Sequence, residues 1–294
     1  MKIFDCTTYY SEDLMLDVRL NILNEYVHKF IIVESKYSHS GIKKTLNFNI
    51  NKFKKFEDKI IYLTIENEPE GIKEVLNNKN SPEVKRMNSL KRIEQSYNYM
   101  MNGIEDANDD DLIILSDNDE IPNLESNQFK ESKKDIIIFK QLFCCYKFNL
   151  LYDLLPWFGT RACKKKILKS FSWLKNIKNK KYPFWRFDTF LSNYKQRNID
   201  IIDNGGWHFT NVKSPEDLFI KLNNFGHHNE FELSNLTVKD LDLQIKNKVI
   251  NYNHFTDKTD ENKYSFEYKL KKLDTKFLPK YLELNRKKYS EWFD

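Results

Sequence analysis

Glycine is scarce in this chain, 7 residues in 294, and so is proline, also 7. Neither the GxGxxG turn of dinucleotide-binding folds nor a GxxxxGKS/T phosphate loop occurs. A nucleotide held here would therefore be held by a metal and side chains, not by a glycine-rich backbone cradle. No apolar run approaches the roughly 20 residues needed to cross a bilayer. The opening Met1-Lys2-Ile3-Phe4-Asp5 lacks the apolar core of a signal peptide. These absences predict a soluble, unexported, cytoplasmic protein without a transmembrane segment, and leave peripheral contact with a membrane open. Cysteine is also sparse. Cys6, Cys144, Cys145 and Cys163 show no CxxC spacing, and the adjacent pair would make a strained bridge. That argues against a zinc site or disulfide framework and fits a reducing compartment.

What is present points to a globular enzyme-sized chain. Hydrophobic residues make up 40% and aromatics 15%, enough for a core and too much for disorder. The length suits one large α/β domain with additions or two small ones. The formal charge of +5 reads as spread through Lys-rich loops and not gathered in one arm, which argues against a dedicated nucleic-acid binder.

Short apolar runs alternate with helical patterns through the first half. Ile3-Phe4-Asp5-Cys6, Lys29 to Glu34, Lys59 to Ile65, Leu112 to Leu115 and Asp135 to Phe139 read as strands. Ser11 is the expected cap of a helix whose stripe is Leu14, Val18, Ile22 and Tyr26. Val84, Met87, Leu90, Ile93, Tyr97, Met100 and Ile104 mark a second helix. This alternation predicts a mostly parallel sheet flanked by helices. After Phe139 the chain becomes aromatic-rich and irregular, and Gly205-Gly206-Trp207-His208-Phe209 reads as a turn. Ser214-Pro215-Glu216-Asp217 is a helix start, with Gly226 as its stop. Residues 237–249 and 257–289 are expected to be helical.

The chain is organised around Leu112-Ile113-Ile114-Leu115-Ser116-Asp117-Asn118-Asp119-Glu120-Ile121-Pro122. A strand buried on both faces stops in an acidic turn closed by proline. In open α/β sheets the crevice outside the strands' carboxyl ends is where ligands bind. Asp117 and Asp119 offer two hard oxygen donors of the kind Mg²⁺ or Mn²⁺ takes alongside substrate phosphates. The same turn also reads as a solvated acidic loop, and at such a surface position neutralising Asp119 would barely alter stability.

Several stretches together resemble glycosyltransferase family 17, the β-1,4-mannosyl-glycoprotein β-1,4-N-acetylglucosaminyltransferase-like proteins. They are Phe4-Asp5-Cys6, Asp17-Val18-Arg19-Leu20-Asn21, Phe30 to Ser35, Ser40-Gly41 with Leu46-Asn47-Phe48, Asp111 to Pro122, and Gly205-Gly206-Trp207-His208. The resemblance implies a GT-A-like, Rossmann-like fold, a UDP-sugar donor such as UDP-N-acetylglucosamine, a glycan or glycoconjugate acceptor, inversion at the anomeric carbon, and Mn²⁺ or Mg²⁺ held at Asp117-Asn118-Asp119. The expected organisation is a glycosyltransferase domain over residues 1–230, with a nucleotide-sugar half (1–139) and an acceptor half (140–230), then a C-terminal helical extension (231–294). The mammalian members' membrane anchor has no counterpart here, so their acceptor and compartment do not carry over.

Candidate roles follow. Asp117 and Asp119 are the metal ligands, His208 is a further metal or phosphate contact, and Asn118 lies at the donor. Glu120 reads as a structural cap. Glu34, at the end of a buried strand, can accept hydrogen bonds from base or ribose, and Arg86 or Arg92 can reach the nucleotide. His227, His228 and Glu230 read as a polar loop facing donor or acceptor. An inverting transfer needs a carboxylate base on the acceptor side. Asp188, beside the aromatic block from Trp157 to Phe187, is the first candidate and Glu230 the second; a salt bridge to Arg186 or a lysine is the competing role for Asp188. The alternatives to sugar transfer are a nucleotidyltransferase or phosphoesterase built on the paired aspartates, or a non-catalytic carbohydrate-binding protein.

Overall fold

Residues 1–75, 81–255 and 263–294 are described by a computed structural model of the chain. The first half runs β1 (Ile3–Tyr9), α1 (Asp13–Leu23), β2 (Lys29–Ser35), β3 (Ile60–Ile65), α2 (Ser81–Tyr99) and β4 (Leu112–Ser116). Beyond the acidic turn come β5 (Glu120–Pro122), α3 (Asn127–Glu131), β6 (Ile136–Phe139), β7 (Leu142–Cys145), β8 (Leu150–Leu151), β9 (Arg161–Lys164) and α4 (Phe171–Asn176). The remainder is β10 (Ile199–Ile202), β11 (Gly206–Thr210), α5 (Pro215–Asn224), α6 (His228–Ser234), α7 (Val238–Asn247), β12 (Val249–Ile250), β13 (Tyr268–Lys269), β14 (Lys271–Lys272) and α8 (Lys280–Leu284).

Two sheets position the site. The larger has seven strands in the order β10-β6-β9-β4-β1-β2-β3, and the second has five, β14-β8-β7-β11-β5. In the larger sheet β1–β2, β2–β3, β1–β4 and β6–β10 pair in parallel. β9 runs against both of its neighbours, β4 and β6. The architecture is therefore mixed α/β, which corrects the expectation of a mostly parallel sheet. A parallel crossover usually runs through a helix; the chain goes from β6 to its neighbour β9 through residues 140–160, which hold β7 and β8 of the second sheet and no helix, and comes back antiparallel.

β4 is buried at every residue because both faces of its sheet are covered. Leu112 and Ile114 join the core formed with α1, whereas Ile113 and Leu115 point into the core that includes Tyr97 of α2 and Phe171 and Leu174 of α4. The continuous apolar run follows from that double burial. Three times the chain leaves the larger sheet and enters the second: β4 to β5, β6 to β7, and β10 to β11. The acidic turn is the first of these crossings. At the third, a Cβ on Gly205 would lie 2.6 Å from the Lys140 nitrogen of the adjacent crossing, and one on Gly206, at φ +122°, would lie 2.2 Å from the Ile121 carbonyl. Only glycine lets these backbones meet. Gly206-Trp207-His208 is thus the start of a strand and not a turn.

Other local expectations fare unevenly. Ser214 caps α5 by accepting from the Asp217 N–H, with Pro215 in the first turn, and Thr237 caps α7. Ser11 does not cap α1; the cap position is Glu12. The buried face of α1 is Met15, Leu16, Val18, Arg19, Leu20 and Leu23; of the expected stripe only Val18 belongs to it, and Leu14, Ile22 and Tyr26 are half-buried at its edge. Of the helix expected over residues 257–289 the described part forms only a 3-10 turn at Thr275–Phe277 and the short α8, residues 257–262 lying outside the described residues. Alternation of Tyr268 and Leu270 with Lys269 and Lys271 instead makes strands β13 and β14, which pair with β12 and β8. Leu278, Leu282 and Tyr289 then pack into the core shared with α1. All four cysteines are buried and unpaired. Among the described residues no helix is long and apolar enough to cross a membrane.

Candidate active site

The acidic turn carries three differently employed carboxylates. Glu120 is fully buried; it accepts from the Asp117 backbone N–H at 3.0 Å and from the Trp157 indole at 2.9 Å. It closes the turn, as the capping role required. A Cβ on Gly159 would come within 2.2 Å of the Glu120 carboxylate, so the glycine lets the Trp157–Gly159 loop lie against it. Beneath the turn Arg19 binds Asp5 through two bonds of 2.7 and 2.5 Å and donates to the Glu120 carbonyl at 2.5 Å. That fully buried arginine on an otherwise apolar helix face ties α1, β1 and the turn together.

Asp117 accepts from the Tyr97 hydroxyl at 2.6 Å and from the Lys175 ammonium at 3.0 Å. Asp119 lies 3.2 Å from Lys221 and 3.5 Å from His208 Nε2. Burial acts to raise both carboxyl pKa values. Lys175 and Tyr97 outweigh it at Asp117, as Lys221 and His208 do at Asp119, and both acids are held below the usual carboxylate range. Burial opposes the charge on Lys175 and Lys221 too, but the facing carboxylates raise both above the ordinary lysine range. Glu12 and Lys213 extend this charged edge at 3.8 Å from one another.

His208 is set by register. On β11 it lies opposite Glu120 of β5 and beside Phe143 of β7. Trp157 stacks on its ring with centroids 4.2 Å apart, and its Nδ1 is buried without a partner. Neither amide atom of the buried Asn118 has a partner either. Desolvated polar groups left open in this way mark a place where a ligand completes the bonding. Phe143 and Trp157 also touch His254, which neighbours Tyr252; Tyr252 in turn meets His227. His227 faces Glu230 at 2.8 Å, so the start of α6 borders the same aromatic chamber. Buried Asn229, with an unpartnered side-chain nitrogen, lies between them.

The remaining candidates are committed elsewhere. Glu34 accepts from the Asn47 and Phe48 N–H groups, Tyr62 and Lys44, which uses its carboxylate to anchor the segment after β2. Arg92 forms a two-bond pair with Glu68, and Arg86 donates to the Gly226 carbonyl at 2.7 Å. Asp188 is held by Arg186 and Lys195. Those hydrogen bonds keep its carboxyl well below the usual range, which makes it a poor base. The aromatic block divides: Trp157 is at the site, Trp173 is in the core, and Phe184, Trp185 and Phe187 face solvent. Among the described residues no three His, Cys, Asp or Glu side chains converge as a ready metal set. Asp119 Oδ1 and His208 Nε2 bring two donor atoms to within 3.5 Å of one another beside the turn.

The profile of glycosyltransferase family 17 matches residues 1–291, both sheets and the whole turn included. The chain belongs to glycosyltransferase family 17. It is an enzyme that transfers sugar, so the nucleotidyltransferase, phosphoesterase and non-catalytic alternatives are set aside. No curated protein matches the chain at a significant level. In this family 17 glycosyltransferase the sequence reading missed Lys175 and Lys221, took Tyr97 only as part of a helix stripe and Trp157 only as one end of the aromatic block, all distant in sequence from the turn. Arg19 stood within a quoted family stretch, and a charged residue interrupting Met15, Leu16, Val18 and Leu20 was a readable signal.

Burial fixes a pH dependence. His39 sits among Asp117, Glu12, Arg92 and His228; desolvation is the main cause that pushes its pKa down to about 4 from 6.5. A depressed folded value means the stabilisation is complete above pH 6.5 and is lost as pH falls through about 4. Urea midpoints measured across that window should fall steeply for the native chain and more gently for His39→Gln. Equal slopes would show that His39 does not titrate against folding.

Proposed function

We propose that the chain is a metal-assisted, inverting glycosyltransferase that moves a sugar, N-acetylglucosamine being the first candidate, from a UDP-sugar to a glycan acceptor. The observation that carries it is the Asp117-Asn118-Asp119 turn at the carboxyl end of β4, lined by His208, Lys175 and Lys221. The reading places the fold with GT-A-like enzymes. The parallel pairs around β4 support that, and antiparallel β9 departs from a purely Rossmann-like sheet.

The residues fit a divalent cation. Adjacent donors around Mg²⁺, at bonds of about 2.1 Å, stand roughly 3 Å apart; Asp119 Oδ1 and His208 Nε2 are 3.5 Å apart. These two, with Asp117 beside them, would hold it, and when bound it supplies Lewis-acid neutralisation of the departing diphosphate. Lys175 and Lys221 add fixed positive charge at the same edge. Asn118, His208 and Asn229 offer unpartnered groups to sugar hydroxyls or phosphate oxygens, and the face of Trp157 is taken by His208. For the base we favour Glu230 over Asp188. Glu230 is buried beside His227 at the chamber, whereas both Asp188 oxygens are tied to cations.

Mn²⁺ and UDP should stabilise the chain together. Ligand at a hundredfold excess over Kd adds about 2.7 kcal/mol, several degrees of Tm, with little from either alone. Calorimetry giving equally tight UDP binding in EDTA would remove the metal from the reading. With UDP-sugar donors in the same buffer, Glu230→Gln should lower transfer by the ~10²-fold of a lost general base while UDP affinity holds; normal transfer would exclude Glu230.

A further inference from the structure

The segment from Lys178 to Arg197 reverses the usual hydropathy of a surface loop. Phe184, Trp185, Phe187, Phe190 and Leu191 all project into solvent, from 61% exposed at Trp185 to 93% at Leu191. Its polar groups turn inward to hold the loop in shape. Arg197 donates to Thr189 Oγ1 and to the Arg186 carbonyl, both at 2.7 Å, and Arg186 and Lys195 close on Asp188. The Trp173 indole donates to the Asn193 carbonyl at 2.8 Å, and the Lys178 N–H to the Tyr194 carbonyl at 2.9 Å. Five large apolar side chains grouped this way are a contact surface, not scattered exposure.

Charge selects the partner. Within the segment Lys178, Lys180, Lys181, Arg186, Lys195 and Arg197 outnumber a single acid, Asp188, and Lys181 pairs with Asp200 just beyond it. The segment's own net charge is +5, set beside five exposed apolar side chains. Residues 36–59 and 263–289 carry excesses of similar size, so the charge is spread along the chain as expected; what sets this segment apart is that its cations lie among exposed apolar side chains. We propose that this loop docks the enzyme on an anionic lipid bilayer, its aromatic and leucine side chains entering the interface and its cations meeting lipid phosphates. Trp and Phe favour that depth, and each Lys or Arg near an anionic surface adds to the attraction. A second copy of the chain would set the same cations face to face in a two-fold interface, which repels. A glycan acceptor would use the rings but gives the lysines no counterion. Single-stranded nucleic acid has both phosphates and bases, but Leu191, the most exposed of the five, has no π-face to stack on.

The test uses the full chain with sedimenting vesicles of phosphatidylcholine alone or mixed with phosphatidylglycerol. Expected are pelleting with the mixed vesicles, a blue shift of tryptophan emission that Trp185→Ser removes, and release by salt. Phe184→Ser with Leu191→Ser, and separately Lys178→Glu with Lys180→Glu, should each weaken partition at least about tenfold with Tm unchanged, because among the described residues these exposed side chains hold no hydrogen bond or ion pair of the fold. The proposal is overturned by failure to pellet with mixed vesicles, or by equal binding of the variants. It is also overturned by tighter binding to a single-stranded oligonucleotide, or by lipid-free self-association that Phe184→Ser abolishes.

Discussion

Asp119→Asn is expected to lower sugar transfer by at least ~10²–10³-fold, the scale seen when one group that stabilises developing charge is removed. One Asp119 oxygen lies by His208 and the other by Lys221, so asparagine keeps the shape and loses the negative charge that the lysine and a metal require. The fold also responds. The two side chains of the Asp119–Lys221 pair are only 16% and 21% exposed. Removing one partner of a buried pair costs about 3–5 kcal/mol in full. Asparagine still offers an oxygen, and Glu12 still faces Lys221, so a loss nearer 1–2 kcal/mol and a few degrees of Tm is expected. This revises the sequence expectation of an exposed turn acid with almost no role in stability. Transfer rates and melting curves on the same preparation check both halves. A variant that keeps more than about a tenth of native transfer would take Asp119 out of the catalytic machinery.

Arg19→Met should cost more stability than any change in the turn itself. Both partners of the Arg19–Asp5 pair are wholly inaccessible to solvent, and the guanidinium also supports the Glu120 carbonyl. Methionine fills much of the volume but strands the Asp5 charge in the core and leaves that carbonyl without its donor. Breaking a buried pair from one side costs about 3–5 kcal/mol, which for a chain of this size lowers Tm by roughly 6–15 °C. Adding Asp5→Leu should recover a large part, because removing both charges avoids the uncompensated one. Urea unfolding of the two singles and the double closes the cycle. If the double is no better than Arg19→Met, the cost comes from lost packing or from the turn and not from the stranded carboxylate.

These two pairs, Asp119 with Lys221 and Asp5 with Arg19, show where linear reading reaches its limit. The acid turn was legible because a run of β-branched residues ending in charge and proline is a local pattern, and it survives in any fold that buries a strand on both faces. The start of α5 was legible for the same reason: Ser214 and Pro215 act within one turn of helix. The C-terminal segment was misread because lysines on a helix face and lysines alternating on a strand edge look alike until a partner strand is present, and here β8 supplies it.

The sequence by itself determined the strand β4, the three acids that follow it, the glycines of the third crossing and membership of a sugar-transferring family. The first three depend on residue type and spacing within a dozen positions, and the last on stretches spread from Phe4 to His208. Only the tertiary structure decided what those acids do. Lys175 reaches Asp117 across 58 residues and Lys221 reaches Asp119 across 102. Separations of that size leave no periodic mark in the chain. Tertiary structure likewise made Glu34 an anchor and Asp188 a salt-bridged loop acid, since a carboxylate's role depends on which donors surround it. It also turned the aromatics of residues 184–191 outward, because the neighbouring arginines satisfy the loop's own backbone and leave the rings no core to enter.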